Sequence, residues 1–113
     1  MPSYRKDSEG FICSIITGPS HVWLKVSFEE NFSGEPMIVP LPPRGDCEHG
    51  SMPLDAKLAA VLEGITEANE EFGCHFQAAR IWVVENDTPR HSLYHYAAYC
   101  LVKQLNVDPT VFG

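Results

Sequence analysis

Basic side chains are scarce in this chain. Its 113 residues carry 8 Lys and Arg against 15 Asp and Glu, a formal net charge of −7. Nucleic-acid binding draws much of its strength from cations that displace phosphate counterions. The only adjacent basic pair is Arg5–Lys6, so the composition disfavours RNA or DNA as a partner. Long apolar runs are absent too, and none approaches the roughly 20 residues a membrane-spanning helix needs. The opening MPSYRKDSEG has no apolar stretch after its basic residues, so neither a signal peptide nor a membrane partner is expected. Four cysteines, Cys13, Cys47, Cys74 and Cys100, lack paired spacing. They are expected to be free thiols in a reducing, cytoplasmic compartment, without disulfide or structural metal. Neither Cys-x-x-Cys nor His-Glu-x-x-His occurs, nor the phosphate-binding pattern G-x-x-x-x-G-K-S/T; nothing calls for a cofactor.

What is present suits one globular domain. Hydrophobic residues make up 44% of the chain and charged residues 20%, an ordinary balance for a length that buries a single core. Residues 1–9 are polar and are expected to form a mobile N-terminal segment, with the domain spanning 10–113. GFICSIIT (10–17) is apolar and β-branched, as in a strand buried on both faces. After Gly18-Pro19-Ser20, Val22, Leu24, Val26 and Phe28 alternate with Trp23, Lys25 and Ser27, the mark of a half-buried strand paired with the first. MIVPL (37–41) is a third strand, and Pro40 confines it to an edge or an end. Residues 42–52 form the longest loop.

Leu54, Leu58, Val61, Leu62, Ile65, Ala68 and Phe72 recur at helical spacing between Pro53 and Gly73, so a helix fills that interval, with Leu58, Val61, Leu62 and Ile65 toward the sheet. Glu63, Glu67, Glu70 and Glu71 fall largely outside the stripe and read as a solvated face. FQAARIWVVE (76–85) is a fourth strand. Thr88 and Pro89 then open a second helix that runs to about Leu105. The expected fold is α+β in the order β-β-β-α-β-α, a four-stranded, mostly antiparallel sheet with two helices on one face.

Residues 60–73 read AVLEGITEANEEFG, with Ala60, Val61, Gly64, Ile65, Ala68 and Gly73 as its small and apolar marks. With the strand and the helix near Ser92 that follow, this segment resembles the fourth domain of elongation factor G, over roughly residues 36–105. The resemblance implies a four-stranded sheet, two helices on one face, a left-handed crossover through the first helix, and a close helix approach at Gly64. It also implies contact with RNA or the ribosome through a tip loop. Here that loop, Asn86 to His91, is shorter and keeps only Ser92 of the family's paired serines, so the resemblance is carried over for the fold and not for the ribosomal role.

Three constellations could carry chemistry. His91 and His95, four apart on the second helix, could share a face as zinc ligands do, although further ligands would have to come from elsewhere. Asp46, Cys47, Glu48 and His49 place four ligand-type side chains in succession on the long loop. Adjacent residues rarely converge on one point, and no orienting third group accompanies them. Tyr94, Tyr96 and Tyr99, with Trp23 and Trp82, supply aromatic surface; without basic residues between the rings, packing or a protein interface is favoured over base stacking. Leu93 to Val102 is apolar or aromatic nearly all round, apart from His95, and a two-layer domain covers only one side of such a helix. The leading expectation is therefore a non-catalytic interaction module that binds another protein or forms a homo-oligomer, using the last helix or the open sheet face. A small-molecule binder or small enzyme at the Asp46–His49 loop is the alternative, and RNA binding is a third.

Overall fold

The computed structural model describes residues 2–17, 20–29, 34–41, 53–84 and 91–112. Its elements are β1 (Ser3–Lys6), β2 (Phe11–Thr17), β3 (Ser20–Phe28), β4 (Met37–Leu41), α1 (Leu54–Phe72), β5 (Ala78–Val84), α2 (His91–Val107) and a closing 3-10 turn (Pro109–Phe112). The class is α+β, but the expected four-stranded sheet is corrected to five strands in the order β1-β2-β3-β5-β4. The added strand, β1, comes from the N-terminal segment that had been placed outside the domain. It pairs antiparallel with β2, Tyr4 opposite Cys13 and Arg5 opposite Ile12. The turn between them is held by Asp7, whose side-chain oxygen accepts from Glu9 N at 2.8 Å and Gly10 N at 3.0 Å. Gly10 lies so close to β3 that a Cβ there would sit 2.6 Å from the Val26 carbonyl oxygen.

β2–β3 and β3–β5 are antiparallel, while β4 runs parallel to β5, making the sheet mixed. β4 is an outer strand, the place in a sheet where proline is tolerated, as expected of Pro40. Side chains alternate across β3: Val22, Leu24 and Val26 are buried on the helix-covered face with Cys13, Ile15, Ile81 and Val83.

Both helices cover this face, α2 over β2 and β3, and α1 beside α2 and reaching β4. Gly73 ends α1 in the left-handed conformation (φ 64°, ψ 36°), and Cys74 N closes the cap on Asn69 O at 3.0 Å. The buried side of α1 consists of Lys57, Ala60, Val61, Gly64, Ile65 and Ala68. Leu58 and Leu62, expected to face the sheet, are only half-buried. Small residues occupy the line of closest approach because the helices nearly touch there: a Cβ on Gly64 would lie 2.2 Å from the His95 carbonyl oxygen.

Most of the apolar circumference of α2 finds its cover within the chain. Tyr94, Ala97, Ala98, Cys100, Leu101 and Val102 are all buried. The C-terminal turn adds to the closure, with Phe112 buried edge-on against Tyr4 and Phe11, ring centroids 5.4 and 5.0 Å apart. Tyr96 keeps 48% exposure.

Candidate functional site

Asp46, Cys47, Glu48 and His49 lie outside the described residues, as does the side chain of His91, whose backbone opens α2. His95 is described. Its Nδ1 lies 3.7 Å from Glu63 Oε2, and its Nε2 meets Glu67 Oε2. One helical turn further on, the Tyr99 hydroxyl donates to Glu71, which holds the phenol's pKa up at about 12. Three of the four glutamates read as a solvated face therefore line the α1–α2 seam. The two helices run in the same direction, so residues four apart on one meet residues four apart on the other. Tyr94 is fully buried, and so does not belong to any exposed aromatic surface.

On the face away from the helices, Lys25 is 6% exposed and stands opposite Trp82, its Nζ 4.5 Å from the ring centroid. A basic group thus does accompany the aromatic rings, contrary to expectation, but its charge is already engaged. Asp7 Oδ2 and Glu9 Oε1 lie 2.8 and 3.3 Å away. Burial works against charge on Lys25, yet these hydrogen bonds outweigh it and hold its pKa above the ordinary lysine value. Asp7 is held down to about 2, chiefly by the same bond. A second buried lysine, Lys57, donates to Val84 O at 3.3 Å and lies 5.6 Å from the Tyr94 ring.

The cysteines Cys13, Cys74 and Cys100 are free thiols. Burial pushes Cys13 up to about 12, far from a reactive thiolate. Among the described residues no group of three or more His, Cys, Asp or Glu side chains is arranged to hold a metal ion. No described helix is long and apolar enough to cross a membrane.

A cavity lined by described residues lies elsewhere, at the end of the sheet where β5 begins. Its volume is about 490 Å³, and its walls are Phe11, Phe28, Glu29, His75, Phe76, Gln77 and Leu105. Phe11 opens β2, Phe28 closes β3 and Leu105 sits in the last turn of α2, while the other residues follow β3 or join α1 to β5. The three phenylalanine rings are half-buried and set at angles to one another. Phe28 meets Phe76 at 5.4 Å and 65°, and Phe11 at 6.4 Å and 41°.

The connector wall is fixed from behind by Asn69. Its Nδ2 donates to Phe76 O at 2.9 Å, and its Oδ1 accepts from Phe76 N at 3.1 Å and from the Cys74 thiol at 3.3 Å. Glu29 N donates to Gln77 O at 2.9 Å, extending the β3–β5 ladder to the rim. Sequence reasoning missed both the cavity and Asn69. The one signal was an amide side chain set four residues before a helix-ending glycine, where it can bond a returning chain.

Comparison with protein-family models, with curated proteins and with solved structures gives no match for this chain.

Proposed function

We propose that this domain is a non-catalytic binding module that receives a small apolar group in the cavity at the base of the sheet. The observation that carries this reading is the gathering of three half-buried phenylalanines around one cavity of about 490 Å³, a size and lining typical of small-ligand sites. Chemistry has less support. The described lining offers Glu29 and His75 but no hydroxyl, thiol or amine nucleophile. His95, Tyr99 and their glutamates are engaged with each other on the helix surface.

Self-association through α2 is not part of this proposal, because most of the surface that motivated it is buried within the chain, with Tyr96 the main side chain of that stretch left exposed. RNA binding by an aromatic sheet face is also left aside, since Lys25 beside Trp82 is already paired with two carboxylates.

A fragment titration followed by NMR tests the proposal. Small aromatic fragments should shift resonances of Phe11, Phe28, Phe76 and Leu105 together, and Leu105→Trp, which fills the space, should abolish the shifts in a folded protein. Shifts centred on Trp23 and Val39, across the sheet, would overturn it.

A further inference from the structure

We propose that the cavity selects an organic cation: a small diffusible molecule with an alkylated or protonated ammonium group on an aromatic or alkyl body. This rests on the cavity being a binding site at all and goes on to say what it binds. Its walls are the rings of Phe11, Phe28 and Phe76, whose planes are turned by 41° and 65° rather than stacked. The three rings line one cavity together, and the faces of aromatic rings carry the negative part of their quadrupole, which attracts cations.

Glu29 adds a full negative charge at the mouth. Its backbone is tied to Gln77 at 2.9 Å, so the residue is anchored at the cavity while its side chain stays free to turn. No lysine or arginine lines the cavity among the described residues, so no cation of the lining itself answers that charge. The remaining polar groups, the His75 imidazole and the Gln77 amide, both offer acceptor atoms. An anion would meet a carboxylate and three aromatic rings, with no lysine or arginine among the described lining to receive it and only the N–H groups of His75 and Gln77 as donors. The chain's net charge of −7 adds a long-range attraction for cations. A volume of about 490 Å³ has room for more than an ammonium head, which is why an apolar body belongs to the ligand.

Three probes of similar shape separate charge from shape: phenyltrimethylammonium, its uncharged carbon isostere tert-butylbenzene, and benzoate, each titrated into the full chain and followed by NMR. Phenyltrimethylammonium should bind at least about five-fold more tightly than tert-butylbenzene, and benzoate should bind most weakly. Glu29→Gln, at an exposed position, should remove most of the cation's advantage while leaving tert-butylbenzene unchanged. Phe76→Leu should weaken both. Equal affinity for cation and isostere, or an advantage that survives Glu29→Gln, would overturn the cation inference and leave the binding-module reading standing. Binding of none of the three at the cavity would overturn both.

Discussion

Replacing Gly64 with alanine should destabilise the domain, although the same change in the middle of most helices does the opposite. Helix propensity alone favours alanine over glycine by about 1 kcal/mol. Against it stands the α1–α2 contact: the new Cβ would lie 2.2 Å from the His95 carbonyl oxygen, 3.0 Å from the Ala98 Cβ and 3.1 Å from the His95 carbonyl carbon. Ordinary carbon–oxygen contacts begin near 3.3 Å, so the helices must part by about 1 Å. The atom in the way is backbone and cannot rotate aside. A gap of that size forfeits a quarter to a half of the dispersion attraction along the seam, where Ala60, Ala68, Ala97 and Ala98 are buried. Overpacking of this kind costs about 1–3 kcal/mol, and more when backbone must shift. With backbone in the way the cost falls at the top of that range, about 3 kcal/mol. The propensity gain of about 1 kcal/mol leaves an expected net loss of about 2 kcal/mol, short of unfolding a domain of ordinary stability. Urea unfolding followed by circular dichroism reads it as a lower midpoint at unchanged slope. Thr66→Ala and Thr66→Gly, at an exposed position of the same helix, supply the propensity baseline. A Gly64→Ala protein as stable as the wild type would refute the close approach.

Two predictions concern pH. Tyr99 should titrate near 12 in the folded protein, and Glu71→Gln should return it toward the ordinary tyrosine value in an ultraviolet titration. Because its folded pKa is raised, the stability it contributes is fully present below about 10 and is lost as pH rises toward 12. Asp7 is the opposite case: its pKa is lowered to about 2, so its contribution is present above about 4 and is lost as pH falls toward 2. Asp7→Asn should therefore narrow the stability difference between pH 6 and about pH 3 in urea titrations; an unchanged difference would show that the Lys25 pair does not form in solution.

Strand alternation was legible wherever one face of the sheet meets the core, as in β3, and Pro40 announced an outer strand. β1 was not legible. Of Ser3, Tyr4, Arg5 and Lys6 only Tyr4 is apolar, and an outer strand of four residues needs no hydrophobic pattern to pair. Its signal lay in the turn that follows, where Asp7 and Gly10 are turn formers. On α1 the periodicity shows the buried side but not its centre, because the largest residues do not mark it. In fact Leu58 and Leu62 flank a line of alanines and Gly64, since the nearest neighbour is a helix backbone and not a layer of strand side chains. Glu63, Glu67 and Glu71 looked solvated for a related reason: nothing in α1 alone shows that His95 and Tyr99, four apart, run alongside them.

The cavity was hidden by topology. Phe11, Phe28 and Phe76 each read as core in their own segments, and only the pairing of β2, β3 and β5 brings them to one end of the sheet. Apolar surface left in water costs about 25 cal/mol per Å², so three incompletely buried rings at one place are a standing cost that a purely structural sheet end could avoid by covering them with α2 or with the tail. Phe112 does cover Tyr4 and part of Phe11 in this way, and among the described residues its ring contacts do not extend to Phe28 and Phe76. The wall that stays open is nevertheless held in place, by two Asn69 bonds to the Phe76 backbone and by the Glu29–Gln77 bond. A wall held this way loses little freedom when a ligand arrives, so more of the contact energy appears as affinity. Asn69→Leu separates the two contributions. It removes the bonds that fix Phe76 but no atom of the cavity's lining, so a pre-organised site should lose affinity for the same probes while the domain stays folded. Unchanged affinity in a folded Asn69→Leu protein would show that the wall needs no such support.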